Sequence, residues 1–233
     1  MKRPYVICHM GSTVDGRIIG DHWGDNLERF GEIYEQCHDT FDSEAWMVGR
    51  VTMEKHFTEG IQPSLSKSVK PIERKPHVGD NEAQSFAIAV DPKGKLGWKR
   101  NEIDGDHVIE ILSEDVSDAY LAYLQDLKIS YIFAGKTKLD FSDALQQLHD
   151  VFNIKTLMLE GGGAINGSIL NAGLIDELSL LLLPVADGTS GTPTTFEAGS
   201  LPPDRIAQEL KLVDVKKLEH DVLWLKYTFK SKP

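Results

Sequence analysis

The chain has 233 residues, of which 41% are apolar, 26% charged and 8% aromatic. These values exclude a wholly disordered or collagen-like polymer and supply enough apolar material for one large α/β domain or two small ones. The formal charge of −11, from 25 Lys and Arg against 36 Asp and Glu, argues against a general nucleic-acid or membrane-surface binder, which needs a basic face. A local basic pocket for a phosphorylated ligand remains compatible with it.

Residues 4–10 (PYVICHM) predict a first buried strand, and GSTVDGRIIG predicts the loop after it. From Asn26, Leu27, Phe30, Ile33, Tyr34 and Cys37 recur at three- and four-residue spacing, which predicts a helix with one core-facing stripe. AWMVG (45–49) predicts a strand and RVTMEKHF (50–57) a short helix. Residues 60–85 carry three prolines, several serines and no periodicity. Such a stretch is a functional lid or a disordered excursion, and a solvated loop is the simpler reading. Strands are then predicted at 86–91, 107–112, 130–135 and 155–160. Helices are predicted after Ser117, after Asp140, and from Gly163 to Ala172 before Gly173. Two late strands, 177–186 and 220–229, are joined by an irregular link. The alternation of strands and helices predicts an α/β fold. Its central sheet is mostly parallel, flanked by helices and closed by an antiparallel C-terminal edge hairpin. No repeat or boundary interrupts the chain, so 1–233 is read as a single domain.

Cys8 and Cys37 cannot build a disulfide framework and do not stand at zinc spacing. No run of about 18 apolar residues could span a membrane. Lys2 and Arg3 are not followed by the apolar region of a secretory signal. A cytoplasmic protein is expected, with no membrane or nucleic-acid partner and no metal.

Three strand ends carry residues suited to a ligand. LMLEGGGAINGSILNAGLIDEL (157–178) places Glu160 and then Gly161, Gly162 and Gly163 at the opening of a helix. Backbone N–H groups there favour an anion, although a tight strand-to-helix turn explains the glycines about equally well. The segment fits neither the dinucleotide nor the P-loop glycine template. At VGRVTMEKHF, Gly49 ends a strand while Arg50 and Thr52 open a helix, offering a cation and a hydroxyl. Taken alone, an exposed Arg and an N-capping Thr explain them more simply. In GSTVDGRI, Ser12, Thr13, Asp15 and Arg17 follow the first strand, where ligands of open α/β sheets bind, although Asp15-Gly16 also reads as turn chemistry.

Together STVDGRI, VGRVTME, VDPKGKL and LEGGGAINGSILNAGLIDELSLLLLPVADG resemble the riboflavin-biosynthesis reductase domain, the C-terminal domain of the bifunctional deaminase-reductase, within the dihydrofolate reductase-like superfamily. The resemblance runs in order over nearly the whole chain. It implies an NADPH-dependent, usually homodimeric reductase acting on a small molecule such as 5-amino-6-(5-phosphoribosylamino)uracil. It implies that Gly49, Arg50 and Thr52 hold NADPH phosphates, with Arg50 near the adenosine 2′-phosphate. Gly161, Gly162 and Gly163 would hold the pyrophosphate, Ala134 and Gly135 would line the cofactor, and Ser12 would lie near the nicotinamide. Asp15 and Glu160 would hold the substrate and supply a proton, for which burial must raise the carboxyl pKa. Trp23 would wall the pocket or anchor a loop, and Lys93, Lys95 and the basic residues of 60–85 are candidates for a substrate phosphate. No H-x-E with P-C-x-x-C deaminase pattern occurs, so a stand-alone reductase is expected. A pterin-reducing dihydrofolate reductase and a non-catalytic NADPH sensor are the competing readings.

Overall fold

The computed structural model describes residues 2–197, 199 and 207–229. It divides into two compact units. The first holds Ser43–Leu157 and the N-terminal tail to Pro4, and the second holds Tyr5–Asp42 and the chain from Met158 onward.

In the first unit, β2 (Ala45–Gly49) pairs in parallel with β3 (Phe86–Val90), β3 with β5 (Asp106–Leu112), and β5 with β6 (Ser130–Phe133). The short β4 (Glu102–Ile103) pairs antiparallel with the start of β5. Its turn, Asp104-Gly105, has positive φ at both residues, as a tight hairpin requires. The helices are α2 (Arg50–His56), α3 (Asp118–Asp126) and α4 (Phe141–Phe152). Ser117 caps α3 by accepting from Tyr120 N–H, and Asp140 caps α4 by accepting from Ser142 and Asp143 N–H. The strands read as continuous apolar runs because both faces are covered. Val48, Met53, Ala89, Leu112, Leu121 and Leu124 meet in one core. Each large aliphatic side chain buried this way contributes about 1.5–3 kcal/mol. Because the four long strands are parallel, Gly49, Val90, Leu112 and Phe133 all end at one carboxyl edge.

The segment 60–85, expected as a lid or a disordered excursion with a solvated loop the simpler reading, is largely exposed and without helix or strand, and it is tied down over residues 72–79. Arg74 donates to the carbonyls of Ile72 (2.6 Å), Val116 (2.7 Å) and Glu114 (3.0 Å) and pairs with Asp118. His77 bridges the backbone of Tyr131, and Gly79 N–H donates to Ser130 Oγ at 2.9 Å. The absence of periodicity reflects anchoring by isolated polar contacts, which leave no pattern in sequence.

In the second unit, β1 (Tyr5–Thr13) pairs in parallel with β8 (Glu177–Leu183), and β8 pairs antiparallel with β10 (Leu223–Phe229). The link before β10, expected to be irregular, contains a further edge strand, β9 (Leu210–Lys217), antiparallel to β10. The first strand also runs three residues further than predicted, through Thr13. The helices are α1 (Asn26–His38), which buries Phe30, Ile33 and Cys37, and α5 (Gly163–Asn171). The division between units falls within β7 (Thr156–Leu159), with no linker.

Candidate functional site

At the carboxyl edge of the first unit, Gly49 ends β2 and Arg50 and Thr52 open α2. Arg50 is about one-third exposed and pairs with Glu54 one turn along the helix. Ala134 is fully buried and its N–H donates to Leu112 O at 2.9 Å. Gly135 adopts φ +92°, and a Cβ there would lie 2.3 Å from Lys138 O, so only glycine fits. Beside them Asp91 accepts from Leu96 N–H at 2.8 Å, and burial pushes its pKa up. Thus the structure brings Gly49, Arg50, Thr52, Ala134 and Gly135 to one sheet edge. Lys93 and Lys95 stand exposed in the turn after β3. Arg74 and Lys75 of the 60–85 segment are engaged by Asp118 and Glu73.

In the second unit, Ser12 is buried near the end of β1 and donates to Thr13 O at 3.3 Å. Asp15 is occupied by its own neighbourhood: it accepts from Thr13 Oγ1 (2.7 Å), Gly188 N–H (2.8 Å) and Asp187 N–H (3.1 Å). These donors, the Thr13 hydroxyl first, hold its carboxyl well below the ordinary range. These contacts oppose the raised pKa that a proton from Asp15 would need, and they join the 13–17 turn to the 187–188 segment.

Glu160 differs. It follows β7 and accepts from, or shares a proton with, His38 Nδ1 at 2.7 Å. It lines a cavity of about 210 Å³ whose other walls include Met10, Trp23, Phe30, Tyr34 and Leu181. Trp23 lines this cavity, and its indole N–H donates to Asp187 at 3.2 Å. Tyr34 OH donates to His9 O at 3.1 Å. His9 is fully buried against Ser179 Oγ (2.9 Å), and burial lowers its pKa. Glu160 itself lifts the pKa of His38, whose partial burial pulls the other way. Sequence reasoning singles out neither His38 nor Tyr34: Tyr34 falls on the core stripe of α1, and no spacing rule links His38 to a carboxylate 122 residues away.

The turn after Glu160 separates the three glycines by function. Gly161 has φ +96°, and a Cβ on it would meet Met10 Sδ at 3.1 Å. The peptide between Gly161 and Gly162 is cis. Gly162 caps α5 in extended conformation, leaving the first amides of the helix without intrahelical acceptors. Gly163 is needed for packing, since a Cβ would sit 2.2 Å from Thr194 O, and Glu197 N–H donates to its carbonyl at 2.8 Å. Among the described residues no group of three or more side chains could hold a metal, and no helix is long and apolar enough to cross a membrane.

The first unit carries a parallel sheet with glycine turns and a cation at its carboxyl edge, and the second an apolar cavity holding one carboxylate; each suits an α/β reductase. The chain belongs to the RibD C-terminal domain family, whose profile matches residues 4–224. It is similar to the 2,5-diamino-6-ribosylamino-4(3H)-pyrimidinone 5′-phosphate reductase of Methanothermobacter thermautotrophicus, 27% identical over 217 residues and 90% of each chain. The enzyme of that name from Aquifex aeolicus is 35% identical over 194 residues, 83% of each chain. Among solved structures, a pyrimidine reductase-like protein from Corynebacterium diphtheriae shares the fold with TM-score 0.66 and 18% identity, over 98% of this chain and 93% of that one. The chain is an oxidoreductase of this reductase kind, and the chemistry of the family calls for a nicotinamide cofactor.

Proposed function

We propose that this protein uses NADPH to reduce a phosphorylated ribosylaminopyrimidine. The curated relatives are named for the 2,5-diamino-4(3H)-pyrimidinone, and we take that ring as the substrate ahead of the corresponding uracil. The observation carrying the reading is Glu160, a single carboxylate set in a largely apolar, aromatic-walled cavity beside a glycine turn that opens a helix.

A ribosylamine opens to an imine, and reducing that C=N bond takes one hydride and one proton. The cofactor, when bound, supplies the hydride. This chain's residues bind, orient and protonate. In the first unit Arg50 keeps a partly exposed guanidinium beside Thr52, suited to a dinucleotide phosphate; in the second unit the first amides of α5 suit an anion. Gly49, Ala134, Gly135, Gly161 and Gly162 let the backbone approach it, while Gly163 acts through packing. Ser12, buried near the end of β1, would face the nicotinamide, and Asp15 would shape the substrate side through its turn. Lys93 and Lys95 are the candidates for the substrate phosphate.

The test is consumption of reduced nicotinamide with the diaminopyrimidinone, the aminouracil and pterins in parallel. Turnover on either phosphoribosylaminopyrimidine supports the reading. Turnover on pterins alone, or NADPH binding without consumption, replaces it with a dihydrofolate reductase or a sensor. Arg50→Ala should raise the NADPH Kd about 10- to 100-fold, the value of a charged hydrogen bond, and raise the NADH Kd far less. Equal losses would remove Arg50 from the 2′-phosphate.

We further propose that 1–233 works as one reductase domain, as a homodimer in the cytoplasm. Support for the dimer is the edge strand β9, which exposes Leu212, Val213 and Val215. Sedimentation at equilibrium decides it. The two buried free thiols, Cys8 and Cys37, suit a reducing compartment.

A further inference from the structure

We propose that His38 is a positioning residue that orients the Glu160 carboxylate and refills it with protons from solvent, so that Glu160 can protonate the substrate inside an otherwise apolar cavity. The inference rests on the reductase reading above, and it concerns the proton, which that reading leaves without a source.

A carboxylate lining an apolar wall is costly unless partnered. Glu160 keeps only 13% of its side-chain surface, and its partner is His38 Nδ1 at 2.7 Å. His38 is the last residue of α1, where the helix dipole favours a cation. Its side chain keeps 21% of its surface, more than Glu160 does. The pair therefore bridges two environments, with Glu160 on the cavity and the imidazole reaching water.

The surrounding charges favour this direction of traffic. Glu35 on α1 and Asp39 at its C-cap join Glu160 in stabilising the imidazolium. From β1, His9 faces His38 with ring centroids 6.3 Å apart, and its burial keeps it neutral. From β10, Lys226 lies over the Phe41 ring, which packs 5.9 Å from His9. The other groups that feel Glu160 are Cys8 and Tyr34, and burial with the Glu160 charge pushes both upward, so neither releases a proton near neutrality. Asp15 is held ionised by its own turn.

The step balances. As hydride reaches the imine carbon, the C=N electron pair settles on nitrogen, which takes a proton from Glu160. Glu160 then takes the Nδ1 proton of the His38 imidazolium, and the neutral imidazole left behind is reprotonated by a solvent hydronium ion, which becomes water. Since His38 must be protonated to refill the pair, turnover in the wild type should fall as pH rises through its elevated pKa.

His38→Gln tests this, because glutamine can keep a hydrogen bond to Glu160 but cannot titrate. Expected are a kcat loss of about 100-fold, typical of general acid catalysis, a KM changed little, and disappearance of the alkaline limb. An unchanged limb, or a loss confined to KM, overturns the proposal. The second measurement is the NMR titration of the His38 ring in the full chain without substrate. Its midpoint should lie above the ordinary histidine value in the wild type and fall in Glu160→Gln; identical midpoints overturn the proposal. If the wild type reduces none of the pyrimidines, the functional reading has failed, while the titration still decides whether the pair exists.

Discussion

Asp15 and Glu160 each follow a strand and precede a glycine, yet their surroundings are opposite. Asp15 is saturated by three donors, the Thr13 hydroxyl and the two adjacent amides of Asp187 and Gly188. Glu160 has a titratable partner and an empty-walled apolar space before it. What a carboxylate can do depends on whether its lone pairs are already committed. A committed one fastens a loop, and one paired with histidine can pass a proton.

The pH dependence of stability carries the same contrast. The pKa of Asp15 is lowered, so its contribution is present above its ordinary value of 3.8 and is lost as pH falls through the lowered folded value. The pKa of His38 is raised, so its contribution is present below 6.5 and is lost as pH rises through the folded value. The two turns should weaken at opposite ends of the pH scale.

The sharpest way to break the contrast is Glu160→Gln, which should cut turnover by about 100-fold or more while the chain still unfolds cooperatively; activity within a few-fold of wild type would put Glu160 on a par with Asp15. Next in size are the glycines of the two turns. Gly163→Ala forces a methyl toward Thr194 O and should cost about 1–3 kcal/mol in denaturant unfolding. Gly16→Ala meets no atom within 4 Å and carries only the cost of φ +84°, about 1–2 kcal/mol. A larger loss at Gly16 would contradict the packing at Gly163. The smallest effect should come from Asp15→Asn. It should keep most of the turnover, lower the melting temperature at neutral pH and flatten its fall in acid. A collapse of turnover would return Asp15 to the chemistry.

Much of the fold was legible because burial leaves a period. Phe30, Ile33 and Cys37 give α1 its buried stripe with Tyr34 partly buried beside them, while Leu27, read as part of it, is exposed, and Ser117 and Asp140 cap as their side chains dictate. What escaped was short or non-periodic. A two-residue β4 offers no run to read, although Asp104-Gly105 is a hairpin signal. The strand β9 alternates weakly, with most of its side chains exposed, and it hid inside a link read as irregular. Arg74 looked like a candidate phosphate ligand and proved to be a clasp. At the site, the glycine run and the arginine turn were visible as motifs. The His38–Glu160 pair was invisible because it forms only when α1 and the end of β7 are folded.

The pairing of β1 with β8 joins residues about 170 positions apart. At ribosomal rates of roughly 5–20 residues per second, the apolar β1 must wait on the order of ten seconds for its partner to be synthesised. The segment that forms the first unit is delivered in the meantime. A nascent chain stalled before residue 177 would hold Val6, Cys8 and Met10 without β8 beside them, a surface that chaperones recognise, and the cavity wall contributed by Leu181 and Leu183 would not yet exist.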